Sequence, residues 1–277
     1  MTILVFTLIL LVGAYMAGLL GSLTGLGGGV IIIPLLTLVF HVDIRYAIGA
    51  ALLASIATSS GAASAYVKEG ITNIRLGMFL EIATTIGAVV GAFIAIYMPT
   101  NAIAVIFGVV LIFSAAMTVR KKHEAKLTKG SKLSEKLKLN STYPVNGEKV
   151  SYQLTNVAGG FSLMTIAGVL SGLLGIGSGS LKVLAMDSTM KIPFKVSTTT
   201  SNFMIGVTAA ASAVVYLQRG YMDPGIAFPV VLGVLAGALT GAKILPKINP
   251  KILRIIFAVA ITAVAIEMII NGINHKF

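Results

Sequence analysis

A chain of 277 residues that is 56% hydrophobic and only 11% charged, with mean hydropathy +0.96, cannot cover itself with charge as a soluble domain does at about 25%. Cysteine is absent, which excludes disulfides and thiolate chemistry. The formal charge of +12 would point a soluble protein toward nucleic acid. Here nine of the 21 Lys and Arg fall between Arg120 and Lys149, a distribution of topology determinants beside a lipid bilayer and not of a nucleic-acid surface.

The first apolar stretch covers Ile3 to Leu23 and ends at Gly25-Leu26-Gly27-Gly28-Gly29. No positive charge precedes it, so it reads as part of the fold and not as a signal peptide. The next stretch, Gly28 to Phe40, is ~20 Å long as a helix, short of the ~30 Å hydrocarbon core. It reads as a tilted short span or a half-helix entering a cavity. A third segment, Tyr46 to Tyr66, is dense in Ala, Ser, Thr and Gly, the composition that lets membrane helices approach closely. The fourth runs from Arg75 to Tyr97 and carries a GxxxG step at Gly87 and Gly91, again a packing signal. Pro99 turns the chain into a fifth span ending at Arg120. Residues 120–154 are rich in Lys, Ser and Asn with no apolar run, and read as a solvated linker with room for short surface helices.

The second half retraces the first at an offset of 150. Gly175-Ile176-Gly177-Ser178-Gly179 answers the first glycine cluster, and Gly237 and Gly241 answer Gly87 and Gly91. Ala63, Tyr66 and Gly70 likewise match Ala213, Tyr216 and Gly220, in one register without a gap. The organisation expected is an all-α polytopic membrane protein of about ten segments: a first repeat at 1–119, a basic cytoplasmic linker at 120–154, and a second repeat at 155–277.

Charge bias gives the repeats an orientation. Lys243, Lys247, Lys251 and Arg254 correspond to the uncharged Phe93, Tyr97, Asn101 and Ala104. Two copies of one corner with opposite charge bias face opposite sides of the membrane, which makes the repeats inverted, with both termini outside.

The two glycine clusters, Pro34, the Gly49 to Ser55 stretch and Thr198-Thr199-Thr200-Ser201-Asn202 resemble the sulfite exporter TauE/SafE family over nearly the whole chain except the linker. Two positions depart from the repeat: Ser178 stands where the first copy has Gly28, and Leu184 where it has Pro34. The resemblance implies a secondary transporter moving sulfite, organosulfonates or related small anions across the cytoplasmic membrane.

The residues themselves point to a site at the breaks. A helix interrupted by glycines is tolerated in hydrocarbon only where protein or a water-filled cavity satisfies the freed backbone groups. Matched breaks in two halves are the sequence pointer to a transporter's binding site. Gly27, Gly28 and Gly29 with Gly177, Ser178 and Gly179 are therefore expected to flank one cavity and bind an anion. Ser59, Thr199, Ser201 and Asn202 would orient it by hydrogen bonds. The alternative for these hydroxyls is helix capping and packing. Lys182, three residues past Gly179 in an apolar run, is either a counter-ion for the substrate or a lysine snorkelling to the interface. Glu81 and Glu267 are the carboxylates within apolar segments, and Glu81 is the candidate proton-coupling group. No cofactor fingerprint, no metal-ligand spacing and no nucleophile–base pairing is present, so the chain does not read as an enzyme. Direction, coupling ion and oligomeric state have no signature in the sequence. The competing readings are uptake of another small substrate, and a membrane scaffold or sensor acting through the basic linker.

Overall fold

The computed structural model describes residues 3–24, 27–68, 70–119, 130–145, 148–244 and 250–277. Helix α1 (Ile3–Thr24) leads through the first glycine cluster into the short α2 (Gly29–Pro34), which continues as a π-helical turn at Leu35–Val39. Then follow α3 (Ile44–Lys68), α4 (Ile74–Tyr97) and α5 (Thr100–Val119). The linker holds α6 (Lys132–Lys136) and the strands β1 (Ser141–Val145) and β2 (Glu148–Tyr152). After it, α7 (Val157–Leu174), α8 (Gly179–Leu184) with its π turn (Ala185–Thr189), α9 (Phe194–Gln218), α10 (Pro224–Ile244) and α11 (Pro250–Ile273) complete the chain. The bounds of α2, α3 and the first π turn recur 150 residues later in α8, α9 and the second π turn. Pro34 lies inside α2, yet the equivalent π turn forms after Leu184. The proline is therefore not what causes it.

Among the described residues, six helices are long and apolar enough to cross a membrane, α1, α4, α5, α7, α9 and α10, and Gly29–Val39 and Ala258–Ile273 are shorter apolar helices. Helix α4 explains how such a helix sits. Its large side chains Met78, Ile82, Ile86 and Val90 face outward, while Gly77, Glu81, Thr84, Gly87, Ala88 and Gly91 are buried. Small and polar residues inside with bulky apolar ones outside is the pattern of a helix packed in lipid.

Glycines set the helix contacts. Helix α4 lies on α7, with Gly87 against the Thr165 carbonyl, Gly91 against that of Val169, Gly168 against that of Thr84 and Gly172 against that of Ala88. Helix α1 lies on α10 in the same way: Gly233 meets Leu11 and Tyr15, Gly237 meets Tyr15 and Leu19, and Gly241 meets Leu19 and Ser22. Both pairs run parallel, since residue numbers rise together. The equivalent helices α5 and α11 do the opposite. Gly108 meets Ala265 and Ile269, and Gly272 meets Asn101 and Val105. They are antiparallel. So are α3 and α9, where Gly49 meets Tyr221, Ser59 meets Asn202 and Gly206, and Asn73 beyond α3 meets Thr200.

The linker departs from the expectation of a solvated spacer. Strands β1 and β2 pair as an antiparallel hairpin. Leu139, Tyr152 and Leu154 are buried in a cluster with Ile71, Val157, Met190, Ile192 and Val196. Scattered apolar residues achieve this because the ends of α4, α7 and α9 offer them an apolar floor, which a search for continuous apolar runs overlooks. Asn73 secures the seam. Its Oδ1 caps α4 at Leu76 N–H (3.0 Å), and its Nδ2 donates to the Leu139 carbonyl (2.9 Å) and the Tyr152 hydroxyl (2.8 Å). The side chains of the basic corner, Lys243, Lys247, Lys251 and Arg254, lie outside the described residues.

Candidate functional site

Gly25 and Leu26 lie outside the described residues; the rest of the two breaks come together in the interior. A Cβ on Gly29 would stand 2.9 Å from both the Gly175 carbonyl oxygen and Ser55 Oγ, and one on Gly27 would stand 3.9 Å from the Ile176 carbonyl oxygen. Gly27, Gly175 and Gly177 have left-handed backbones (φ +83, +68 and +67), the conformation that glycine reaches without a Cβ clash. Gly175 closes α7, its N–H donating to the Ser171 carbonyl (2.8 Å). In the second copy the left-handed position that opens the short helix is Ser178 (φ +47), whereas Gly28 is right-handed (φ −66). The two copies therefore differ in the local turn at that position.

A cavity beside the first break is lined by Gly21, Ser22, Gly27, Thr58, Ser59, Asn202 and Ile205. Three expected residues, Gly27, Ser59 and Asn202, lie on its wall. Gly28 N–H donates to Thr58 Oγ1 (3.3 Å). Ser59 Oγ donates to the Asn202 carbonyl (2.5 Å) and accepts from Gly206 N–H (3.0 Å), which ties α3 to α9 across the cavity.

Other expected residues are engaged elsewhere. Thr199 Oγ1 bonds back to the carbonyls of Lys195 and Val196 (3.1 Å each), well inside α9 and not at its cap. Ser201 Oγ donates to the Gly179 carbonyl (3.1 Å), clasping α9 to the start of α8. Gly177 packs against the Ile205 side chain. Thr199 thus bonds within its own helix and Ser201 bonds across to α8. Among the described residues, the buried hydroxyl oxygens Ser55 Oγ, Ser171 Oγ and Ser178 Oγ have no hydrogen-bond partner.

Lys182 is fully buried and is not among the residues lining that cavity. The snorkelling alternative is excluded by this burial. Its Nζ donates to Thr208 Oγ1 (2.6 Å), which lies 2.6 Å from Glu81 Oε1. Thr85 Oγ1 also donates to Glu81 Oε1 (3.2 Å), and Glu81 Oε2 is buried without a partner. Helices α8, α9 and α4 thereby share one buried ammonium–hydroxyl–carboxylate chain. Glu267 is exposed, away from this chain. Thr208 carries no signal of its own in an alanine-rich stretch. Only its match to Thr58 at the repeat offset marks it.

Residues 9–268 match the family described as Sulfite exporter TauE/SafE. The chain belongs to that family. It is a multi-pass membrane protein of a transporter family, similar to "Probable membrane transporter protein YunE" of Bacillus subtilis, at 31% identity over 81% of this chain and 83% of the relative. It is also similar to "Probable membrane transporter protein YdhB" of the same organism, at 27% identity over 80% and 83%. A probable membrane transporter protein of Methanocaldococcus jannaschii is 26% identical over 79% and 76%. No solved structure matches the chain.

Proposed function

We propose that the protein is a secondary transporter that exports sulfite, sulfonates or related organosulfur anions across the cytoplasmic membrane by alternating access. The observation that carries this reading is the meeting of Gly27 and Gly29 with the Gly175 and Ile176 carbonyls, next to a small cavity that the first break lines together with Thr58, Ser59 and Asn202. Hydroxyl, amide and backbone N–H donors suit a small oxyanion once their present bonds, Gly28 N–H to Thr58 and Ser59 Oγ to the Asn202 carbonyl, are exchanged for it.

Two inverted repeats of five segments are part of the proposal. The antiparallel course of the equivalent pairs α5–α11 and α3–α9, beside the parallel pairs α1–α10 and α4–α7, supports it. An axis in the membrane plane relates copies in this way. Exposed Arg75, Lys132, Lys136, Lys138, Lys149, Lys191 and Lys195 gather at the hairpin end, which supports a cytoplasmic linker. The scaffold alternative gives no account of the buried Lys182–Thr208–Glu81 chain.

Purified protein in proteoliposomes, loaded with labelled sulfite or isethionate, tests the reading. Saturable, protein-dependent release of at least one anion is expected. Release no faster than from empty liposomes, for both anions and in both directions of gradient, overturns it.

A further inference from the structure

We infer that Glu81, Thr208 and Lys182 form a one-proton coupling switch, in which the transported anion and Glu81 compete for a single ammonium so that anion and proton cross together. The inference rests on the transporter reading and adds the coupling ion, its seat and its stoichiometry. Proton and anion moving together means that export runs down the anion's own gradient and that an inward proton gradient favours uptake. Lys182 and Glu81 are the only buried charged side chains among the described residues. A charge in such surroundings requires a partner. Here each has the other, through one hydroxyl.

Thr208 Oγ1 carries one proton. It accepts from Lys182 Nζ (2.6 Å) and donates to Glu81 Oε1 (2.6 Å), with the Met204 carbonyl (2.9 Å) as the alternative acceptor. A proton moves between the ends by two concerted transfers. An N–H bond of Lys182 breaks as an O–H bond forms on Thr208, and the original Thr208 proton passes to Glu81. Threonine is unchanged, and both ends become neutral. A proton arriving from solution at the unpartnered Glu81 Oε2 neutralises the carboxyl instead and leaves the ammonium uncompensated. An anion then restores the balance, one negative charge for one proton.

To reach the ammonium, that anion would have to leave the cavity at Gly27, whose lining does not include Lys182. Lys182 lies one turn beyond Ser178 on α8, its N–H donating to the Ser178 carbonyl (3.0 Å), and a helical side chain leans toward the N-terminal turn. Ser178 Oγ and Ser171 Oγ, both buried, lack partners. Among the described residues nothing else titratable faces the pair. On α4 the other ionisable groups are the exposed Arg75 and Tyr97; α7 and α5 have none among described side chains. On α8 and its π turn there is Asp187, half-buried past Lys182. On α9, Lys195 is exposed, and the Tyr216 hydroxyl turns to the Gly172 and Leu173 carbonyls (3.4 Å each). The hydroxyls of Thr84 and Thr85 complete the surroundings. At the repeat positions Ile32, Val231 and Val234 replace Lys182, Glu81 and Thr84, so each chain holds a single switch.

The test is uptake of labelled isethionate and sulfite into proteoliposomes with a lumenal pH dye. In the parent, anion and proton should move together, and a pH gradient should drive accumulation. Thr208→Ser keeps the hydroxyl and should keep this behaviour. Thr208→Val should lower gradient-driven accumulation about tenfold, within the usual range of coupling energies, and Glu81→Gln should make uptake insensitive to the gradient. Accumulation by either of the last two at the parent's level overturns the switch. A parent that moves both anions without protons also overturns it while leaving the transporter reading intact; a parent that moves neither sinks that reading. Infrared spectra of the parent alone cover variants that fail to fold. A carboxylate band that gives way to a protonated-carboxyl band when isethionate is added supports the switch. A spectrum without it overturns the switch, whatever the fluxes.

Discussion

Thr58 and Thr208 occupy one position of the repeat, 150 residues apart, and hold two different groups. Each hydroxyl lies within hydrogen-bonding distance of the carbonyl one turn earlier, Thr58 at 2.7 Å from Ala54 and Thr208 at 2.9 Å from Met204. Thr58 Oγ1 then accepts from the Gly28 backbone N–H, while Thr208 Oγ1 accepts from the Lys182 ammonium. One lobe of the protein is neutral at this point and the other is charged.

The charged lobe predicts a thermodynamic coupling. Lys182→Met leaves Glu81 buried without its cation, and removal of one member of a buried pair costs about 3–5 kcal/mol. Lys182→Met combined with Glu81→Gln should recover most of that loss. Thermal unfolding of the purified protein in detergent measures the cycle. A double variant as unstable as the single one would mean that the two side chains do not sense each other. Lys182→Arg should lose less, because it retains the charge.

Helix contact makes a second prediction. A methyl group on Gly91 or Gly172 would run into the backbone of the facing helix, at Val169 and Ala88 respectively, whereas one on Gly61 meets only side-chain carbons at 3.8 Å. Gly91→Ala and Gly172→Ala should each destabilise by about 1–3 kcal/mol, and Gly61→Ala should be close to neutral. Equal melting temperatures for all three would contradict the close approach of α4 to α7.

The hairpin should be sensitive to alkali. Burial pushes the Tyr152 hydroxyl up from its ordinary 10.0 to about 12, against the lowering effect of hydrogen bonds from Asn73 and Ser141. A folded-state value above the unfolded one means that the docked state holds the proton more tightly. The stabilisation is therefore complete below pH 10.0, and declines as pH rises through about 12. Hydrogen exchange in 141–152 should speed up over that window in the parent. Tyr152→Phe should lose the added pH dependence; an identical profile in the variant would remove Tyr152 as the cause.

Topology can be read by labelling, since the chain has no cysteine of its own. Single cysteines at 136 and 191 should react from the same side, and those at 99 and 221 from the other. Reaction of 136 and 99 from one side would end the inverted-repeat proposal.

The sequence alone determined the repeat, the membrane class and the meeting of glycine breaks, because these depend on composition and on a register that a constant spacing preserves. It also marked Gly87, Gly91, Gly237 and Gly241 as contact points, since only a missing Cβ lets helices approach so closely. Three things were decided by tertiary structure. The linker's few apolar residues became a docked hairpin because helix ends elsewhere in the chain supplied the floor beneath them. Thr199 and Ser201 were turned to carbonyls of α9 and α8, a choice made by helix rotation that no motif records. Lys182 met Glu81 through Thr208, three residues on three helices. Their common burial follows from how α4, α8 and α9 pack, and spacing along the chain carries no trace of a partner brought near only by folding.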